Sequence, residues 1–229
     1  MNIDKNKFTF DLQRFDSAFS GGDGSETNPY QISSVADLQQ LSTDVKNGNR
    51  YEDKCFKLMA NLDLSGVANF TPIGNQYTSA FEGTFDGNNA NYTISNVTVN
   101  RSNVFNSQTF DLGLFGYNNG TIKNVTLLNV NITKSSGNNH GGLVGVNVGT
   151  VDSCIVTGTV SGSESVGGIV GTNDFGGQVK NCTVDAQVSG NGGIGGLVGY
   201  NYYGTRTVIQ NNTFHSNAMR ARSAKIFQA

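Results

Sequence analysis

The sequence predicts an all-β fold: a right-handed, single-stranded parallel β-helix (a β-solenoid) of about five coils, with an N-terminal capping α-helix. A glycine-rich segment recurs every 28 to 30 residues in the second half of the chain. The 229 residues include 30 glycines, only 2 prolines, 14% charged residues, and many Val, Ile, Thr, Phe and Tyr, a composition that favours strands over disorder. One amphipathic segment near the N-terminus has the apolar spacing of a helix.

The repeat is visible as four segments that each begin with a Gly-apolar-apolar-Gly core. They are Leu112–Ile132, Gly141–Gly162, Gly167–Gly190 and Gly195–Asn217. A fifth, partial copy is aligned upstream at Tyr92–Asn100. One apolar position recurs in this alignment at Ile94, Ile122, Val151, Val179 and Ile209. We expect these side chains to form a column inside the solenoid.

A β-solenoid is the repeat architecture that this period and composition favour. Helical repeats of similar length would need amphipathic helices, and these segments hold too many glycines and β-branched residues for that. A propeller blade needs roughly 40 residues or more. In a solenoid, each coil of three short strands stacks on the previous coil at about 4.8 Å, so that equivalent residues form ladders.

Each coil is predicted to carry inward apolar residues that follow a left-handed turn. The inward positions are Ile122, Val125, Leu127, Val151, Cys154, Val156, Val179, Cys182 and Val184. The turn positions are Asn96, Asn124, Asn181 and Asn211, with Ser153 in the remaining coil. Because Asn tolerates left-handed backbone and its amide can bond to the next coil, we expect a ladder of turn side chains.

The N-terminal part is predicted to cap the solenoid. Tyr30–Ser33 is predicted as a strand, and Ser34–Asn47 as a helix that Ser34 caps and Gly48 ends. The apolar face of this helix is formed by Val35, Leu38, Leu41 and Val45. The predicted organisation is a leader or flexible segment over residues 1–24, the cap and first coils over 25–90, the repeats over 91–217, and a C-terminal tail or cap over 218–229. Within the leader, the segment FTFDLQRF is predicted either as a short strand, as an amphipathic anchor or as a partly ordered tail.

Composition also restricts the classes of partner. The net charge of −2 offers no polycationic surface, so we expect no nucleic-acid partner. No run of 18 apolar residues occurs, which predicts no membrane span, and residues 1–16 lack the apolar stretch of a Sec-type signal. Cys55, Cys154 and Cys182 do not form a disulfide framework, and the last two are predicted as inward thiols on adjacent coils. The sequence predicts no particular oligomeric state.

The four repeats resemble the GLUG motif, which is named for its Gly-Leu-apolar-Gly core. That core reads Gly142-Leu143-Val144-Gly145, Gly168-Ile169-Val170-Gly171 and Gly196-Leu197-Val198-Gly199, with the variant Gly113-Leu114-Phe115-Gly116 in the first copy. The upstream segments FTPIGN and FEGTFDGNN resemble the usual lead-in to such repeats. The resemblance covers roughly residues 24–217 and implies a bacterial surface protein, secreted or held at the cell surface, such as an adhesin.

Catalytic chemistry is not predicted. Cleavage of a glycoside needs two facing carboxylates about 5–9.5 Å apart. In the alignment Asp152 matches Lys123 and Lys180, so no two acids stack there, and the Glu82 and Asp86 pair is explained as part of a turn. His140, in a loop, is expected to be solvated. No metal site and no cofactor are predicted.

Aromatic side chains are the candidate ligand-binding residues. Tyr200, Tyr202 and Tyr203 cluster in one turn, and Tyr117 lies in the corresponding turn of an earlier coil. Exposed aromatic rings can stack on sugar rings. The alternative is that these rings pack at the corner of the coil.

Two hypotheses about function follow. The first is a non-enzymatic, extracellular or cell-surface module of the adhesin type, which binds carbohydrate or a host surface protein. The second is a polysaccharide-acting or phage tail-spike-type β-helix. A cleft with convergent carboxylates would favour the second hypothesis, and a smooth face of Asn, Ser and Thr would favour the first.

Overall fold

The computed structural model describes residues 19–74, 77–100, 111–133, 137–202, 207–215 and 219–221. They contain one α-helix, α1 (Val35–Lys46), and a 3-10 turn at Tyr77–Ser79. The strands before residue 134 are β1 (Tyr30–Ile32), β2 (Cys55–Leu58), β3 (Leu62–Asp63), β4 (Thr84–Asp86), β5 (Thr93–Ser95), β6 (Thr98–Val99), β7 (Phe115–Asn118), β8 (Thr121–Lys123) and β9 (Thr126–Thr133). Those that follow are β10 (His140–Gly141), β11 (Val144–Asn147), β12 (Thr150–Asp152), β13 (Ile155–Ser161), β14 (Glu164–Gly167), β15 (Val170–Asn173), β16 (Gln178–Lys180), β17 (Thr183–Gly190), β18 (Gly192–Gly195), β19 (Val198–Asn201), β20 (Val208–Gln210), β21 (Thr213–Phe214) and β22 (Met219–Ala221).

The strands form four parallel sheets that run along the axis of a β-solenoid. Sheet 1 has the order β1-β2-β4-β8-β12-β16-β20, and sheet 2 has the order β21-β17-β13-β9-β5-β3 with β6 and β22 attached. Sheet 3 has the order β19-β15-β11-β7, and sheet 4 the order β10-β14-β18. Because seven strands stack in sheet 1, the chain completes about six turns rather than the five predicted. The predicted parallel solenoid is confirmed.

The repeat alignment is confirmed in four copies and wrong in the fifth. Ile122 pairs with Val151, Val151 with Val179, and Val179 with Ile209. Ile94, however, pairs with Leu62 and Leu127 in sheet 2, and Phe85 occupies the predicted place beside Ile122. The alignment placed Ile94 in the wrong sheet because both sheets have the same alternation of apolar and polar residues.

The inward ladder is confirmed. All of the predicted inward residues are buried, namely Ile122, Val125, Leu127, Val151, Cys154, Val156, Val179, Cys182 and Val184. Aromatic rings fill the N-terminal part of the core, where Phe56, Phe81, Phe85 and Phe115 are buried and neighbouring rings lie at centroid distances of 5.3 to 5.9 Å. The core is therefore one continuous apolar column.

The left-handed turn is confirmed as a backbone feature. Asn124, Ser153, Asn181 and Asn211 have φ between 54° and 56°, in the left-handed region that Asn tolerates. Asn96 also has a left-handed φ of 59°, but it belongs to another corner, where the Nδ2 of Asn129 donates to its Oδ1 at 2.7 Å. The register error at Ile94 therefore extends to Asn96.

The N-terminal helix caps the solenoid as predicted. The Ser34 hydroxyl accepts a hydrogen bond from the Asp37 N–H, and the Asp37 carboxylate accepts one from the Ser34 N–H, which forms a capping box. Leu38, Leu41 and Val45 are fully buried against the core. The helix ends before Gly48, whose φ is 99°.

The ends of the chain refine the predicted organisation. Phe19 is buried among Tyr30, Tyr51 and Phe56, and the Gln31 N–H donates to the Gly21 carbonyl at 2.8 Å. The structure thus places residues 19–24 with the cap rather than with a flexible leader. The segment FTFDLQRF lies outside the described residues. At the other end, β22 pairs with β17. None of the helices in the described ranges has the length and apolar character to cross a membrane.

Candidate functional site

The turn between sheet 3 and sheet 1 is held by a ladder of buried asparagines. Asn118, Asn147 and Asn173 are fully buried at equivalent positions of consecutive coils. The Nδ2 of Asn118 donates to the Oδ1 of Asn147 at 2.8 Å, and that of Asn147 donates to the Oδ1 of Asn173 at 2.8 Å. The Nδ2 of Asn173 continues the chain to the Oδ1 of the exposed Asn201 at 3.0 Å.

The same amides also hold the turn itself. Asn118 donates to the carbonyl of Gly120 at 3.3 Å, and Asn147 donates to that of Gly149 at 3.2 Å. This ladder was not predicted from the sequence, although an Asn stands two residues after the second glycine of every repeat core. Because each buried amide is satisfied by its neighbours, the ladder makes the corner rigid.

The corner lengthens toward the C-terminal end and exposes aromatic rings. Two residues join β7 to β8 and β11 to β12, four join β15 to β16, and six join β19 to β20. The longer turns carry Phe175, which is 76% exposed and has a φ of 45°, and Tyr202, which is 51% exposed. Tyr200, at the end of β19, is 42% exposed. We call Phe175, Tyr200 and Tyr202 the aromatic corner.

Of the predicted tyrosines, Tyr200 and Tyr202 belong to the aromatic corner and Tyr117 does not. The rings of Tyr200 and Tyr202 lie 5.8 Å apart at an interplanar angle of 60°. Tyr117 is 8% exposed, packs with Ala80 and Val146, and is separated from Tyr200 in the ladder by Val146 and Thr172. Its ring is therefore packed at the corner of its coil and lies about 14 Å from the level of Tyr200 at the usual strand spacing. Tyr203 lies outside the described residues. Phe175 was not predicted as a binding residue, although the sequence shows it as an aromatic residue in a lengthened turn.

Beside the corner, the outer face of sheet 1 carries charges of alternating sign. The ladder is Lys57, Asp86, Lys123, Asp152 and Lys180. Lys123 Nζ lies 3.5 Å from Asp86 Oδ2, and Lys180 Nζ lies 3.8 Å from Asp152 Oδ2. Although burial raises the pKa of Asp152, hydrogen bonds from Asn181 and Ser153 and the charge of Lys180 hold it below its usual value. The sign of the charge therefore alternates along the ladder, and no two of its acids are adjacent.

Elsewhere, Asp111 is a buried carboxyl. Burial raises the pKa of Asp111 to about 7. A hydrogen bond from Asn139 Nδ2 to Asp111 Oδ1 at 2.8 Å lowers this pKa, but its effect is smaller than that of burial. Thr172 Oγ1 in turn donates to the Oδ1 of Asn139 at 2.6 Å. Over the described ranges, no group of three or more His, Cys, Asp or Glu side chains has the arrangement of a metal site.

The raised pKa of Asp111 predicts a pH-dependent stability. The folded protein keeps the proton of Asp111 between pH 3.8 and about 7, whereas the unfolded chain loses it, so this group lowers the free energy of unfolding as the pH rises through that window. We expect Asp111→Asn to remove this decline and to gain stability relative to the original chain at pH 8 but not at pH 4. Urea unfolding of both proteins at the two pH values measures the difference. Parallel pH profiles would contradict the prediction.

The structure corrects the expectation for His140. This side chain is fully buried rather than solvated, in a ladder whose other members are Leu112, Val166 and Ile194. A Cβ placed on Gly162 would lie 2.1 Å from its Nδ1, so the glycine makes room for the ring. The loop that was expected around His140 is strand β10 of sheet 4, which turns the side chain inward.

The two stacked cysteines are free thiols inside the core, as predicted. Cys154 and Cys182 are buried on adjacent coils, and Cys182 Sγ lies 3.1 Å from the carbonyl oxygen of Lys180. Burial raises the pKa of the Cys154 thiol well above its ordinary value, since the apolar surroundings disfavour the thiolate.

These thiols are expected to resist modification in the folded protein. With an excess of a thiol-exchange reagent at neutral pH, only the half-buried Cys55 should react quickly, and all three thiols should react after unfolding in urea. Cys55→Ser serves as the control and should show no fast reaction. Fast labelling of Cys154 or Cys182 in the folded Cys55→Ser protein would show that the core opens at this point.

Comparison with known proteins shows similarity to one sequence motif and to two larger proteins. The sequence profile of the GLUG motif matches residues 162–189. The chain is 39% identical over 160 residues to "Halomucin" of Haloquadratum walsbyi, covering 66% of this chain and 2% of halomucin. It is 33% identical over 148 residues to a "Putative Gly-rich membrane protein" of Evansella cellulosilytica, covering 61% of this chain and 16% of that protein. The chain thus spans only a small part of either relative.

Among solved structures, the chain resembles a Bacteroides ovatus protein described as a "putative immunoglobulin A1 protease". The TM-score is 0.67 and the identity is 18%, over 93% of this chain and 83% of the other. At this identity, the similarity shows a shared fold alone.

Proposed function

We propose that this chain, which carries a GLUG motif at residues 162–189 and has a parallel β-solenoid fold, is a non-catalytic binding module at the cell surface whose aromatic corner stacks on sugar rings. The observation that carries the proposal is the pair of exposed rings, Tyr200 and Tyr202, at a ring-centroid distance of 5.8 Å. Exposed aromatic faces lose little conformational entropy on binding and suit the C–H face of a sugar.

The surroundings of the corner support a neutral ligand. The charge ladder of sheet 1 alternates in sign, so it attracts neither polyanions nor polycations strongly. The buried asparagine ladder keeps the backbone at the base of the corner rigid, which reduces the entropy lost on binding. A surface location is supported by the relative that is named as a Gly-rich membrane protein.

A glycan array probed with the purified chain tests the proposal. We expect binding to a subset of glycans, and Tyr202→Ala should weaken it about tenfold because the stacking surface is lost. Tyr202→Phe should retain binding, since the ring remains. Ile155→Ala, which removes an exposed apolar side chain from sheet 2, is the matched control and should bind normally. A chain that binds no glycan, or a Tyr202→Ala variant that binds as well as the original chain, would overturn the proposal.

The polysaccharide-acting alternative is tested in parallel. The ladder separates Asp86 from Asp152 by Lys123 and pairs each acid with a lysine, an arrangement that disfavours a pair of catalytic carboxylates. We expect no release of reducing sugar from the glycans that bind. Release that depends on Asp152 or Asp86 would favour catalysis instead.

A further inference from the structure

A groove on the outer face of sheet 2 has the features of a small-ligand site. It lies over β6, β9 and β13, far along the chain from the aromatic corner, and its volume is about 390 Å³. This volume lies within the range of roughly 300–1,000 Å³ that is typical of small-ligand sites. Its polar walls include Thr98, Asn129, Asn131 and Thr159, and its apolar side includes Val67 and Ala68. We call it the amide groove.

A local irregularity of β9 shapes the groove. The pairing of β9 with β13 shifts between Val156 and Gly158, so that Leu128 and Asn129 together stand opposite Thr157. Asn129 takes a left-handed φ of 54°, and its N–H donates to Thr157 Oγ1 at 2.9 Å instead of to a strand carbonyl. The next pair of strands, β13 and β17, keeps an unbroken register. The bulge therefore belongs to this coil and turns the side chain of Asn129 outward.

The amide of Asn129 is oriented by its neighbours. Asn96 Nδ2 donates to the Asp63 carboxylate at 2.7 Å, which leaves the Oδ1 of Asn96 to accept from Asn129 Nδ2 at 2.7 Å. A carboxylate only accepts, so the direction of this chain is set by Asp63. As a result, the Oδ1 of Asn129 is presented as an acceptor at the groove.

Several polar groups of the groove have no hydrogen-bond partner within the described part of the chain. They are the amide of Asn131, the Oδ1 of Asn129 and the hydroxyls of Thr98 and Thr159. Together they offer both donors and acceptors, and no residue of the lining carries a charge. A polyhydroxylated neutral molecule satisfies such a set, and its C–H groups can contact the accessible side chains of Val67 and Ala68. A phosphate or a carboxylate would require cationic partners that the lining lacks.

We propose that the amide groove binds one unit of a neutral saccharide, through the Asn129 and Asn131 amides and the Thr98 and Thr159 hydroxyls. The site is distinct from the aromatic corner and does not depend on its binding of glycans. A chain with both sites would contact a long glycan at two places, which raises avidity without a deeper pocket at either place.

Titration of the isotope-labelled full chain by NMR tests the proposal, with galactose, N-acetylglucosamine and mannose as probes and phosphate as the charged comparison. We expect at least one sugar to shift the side-chain amide signals of Asn129 and Asn131 in a saturable way at millimolar concentrations. Asn131→Ala and Thr159→Val should each weaken this binding about tenfold, because each removes hydrogen bonds to the sugar. Thr183→Val, the same change at a position of sheet 2 outside the groove, should have no effect.

Three results would overturn the proposal. The first is the absence of a saturable shift with any of the three sugars up to roughly 100 mM. The second is unchanged binding by both Asn131→Ala and Thr159→Val. The third is binding of phosphate as strong as that of the sugars, since it would contradict a neutral ligand. Tyr202→Ala should leave the titration unchanged, so that failure of the aromatic corner and failure of the groove are distinguishable.

Discussion

Replacing Asn147 with leucine is expected to lower the free energy of unfolding by about 3 kcal/mol or more. Leucine is similar in size but neither donates nor accepts, so it interrupts the buried ladder at its centre. The Oδ1 of Asn173 loses its donor, and the Nδ2 of Asn118 keeps only its 3.3 Å bond to the Gly120 carbonyl. The carbonyl of Gly149 also loses the Asn147 amide but still accepts from the Gln178 N–H at 2.8 Å. Each buried polar group left without a partner costs about 1–3 kcal/mol.

Urea unfolding followed by circular dichroism measures this loss. Asn191→Ala, which truncates an exposed asparagine of the same repeat region, is the control and should change the free energy of unfolding by less than about 0.5 kcal/mol. The prediction is wrong if Asn147→Leu and Asn191→Ala unfold at the same urea concentration. It would then follow that water enters the corner and replaces the lost amide.

Gly149→Ala is expected to have an effect of similar or greater size, at about 4 kcal/mol, or to prevent folding. A Cβ at this position would lie 2.0 Å from the carbonyl oxygen of Gly120 in the preceding coil. That oxygen cannot move aside, because it accepts a hydrogen bond from the Thr150 N–H at 2.9 Å. The two coils would have to separate at the corner, which would also stretch the asparagine ladder.

Gly192→Ala is the matched control for this change. A Cβ there meets its nearest heavy atom, Glu164 Cγ, at 3.9 Å, which is ordinary contact. Thermal unfolding of both variants compares the two sites, and a Gly149→Ala chain that yields no folded protein also agrees with the prediction if Gly192→Ala folds. Equal midpoints for the two variants would show that the coils can separate at Gly149 without cost.

Asn147 and Gly149 also show which features of the corner the repeat predicts. The glycine of each turn and the asparagine two residues after each core are both visible in the aligned repeats. The structure shows that Gly149 is needed for close contact between coils, which the repeat alone did not predict. The buried asparagines of the corner were not predicted. Their burial depends on the preceding and following coils, 26 to 29 residues away.

The sequence by itself determined the parallel solenoid, the capping helix, the column of Ile122, Val151, Val179 and Ile209, and the left-handed turns. These features repeat locally, since a strand alternates its side chains with a period of two and asparagine and glycine adopt left-handed backbone at low cost.

Only the tertiary structure decided where Ile94 pairs, that Tyr117 and His140 are buried, and that a bulge at Asn129 opens the amide groove. Each of these depends on the residue that the neighbouring coil places alongside, and a local pattern does not specify that residue. In a solenoid, the stacking of one coil on the next decides which side chains are buried. The stacked residues lie almost 30 positions apart in the sequence, and the alternation of side chains within one strand does not predict which of them meet.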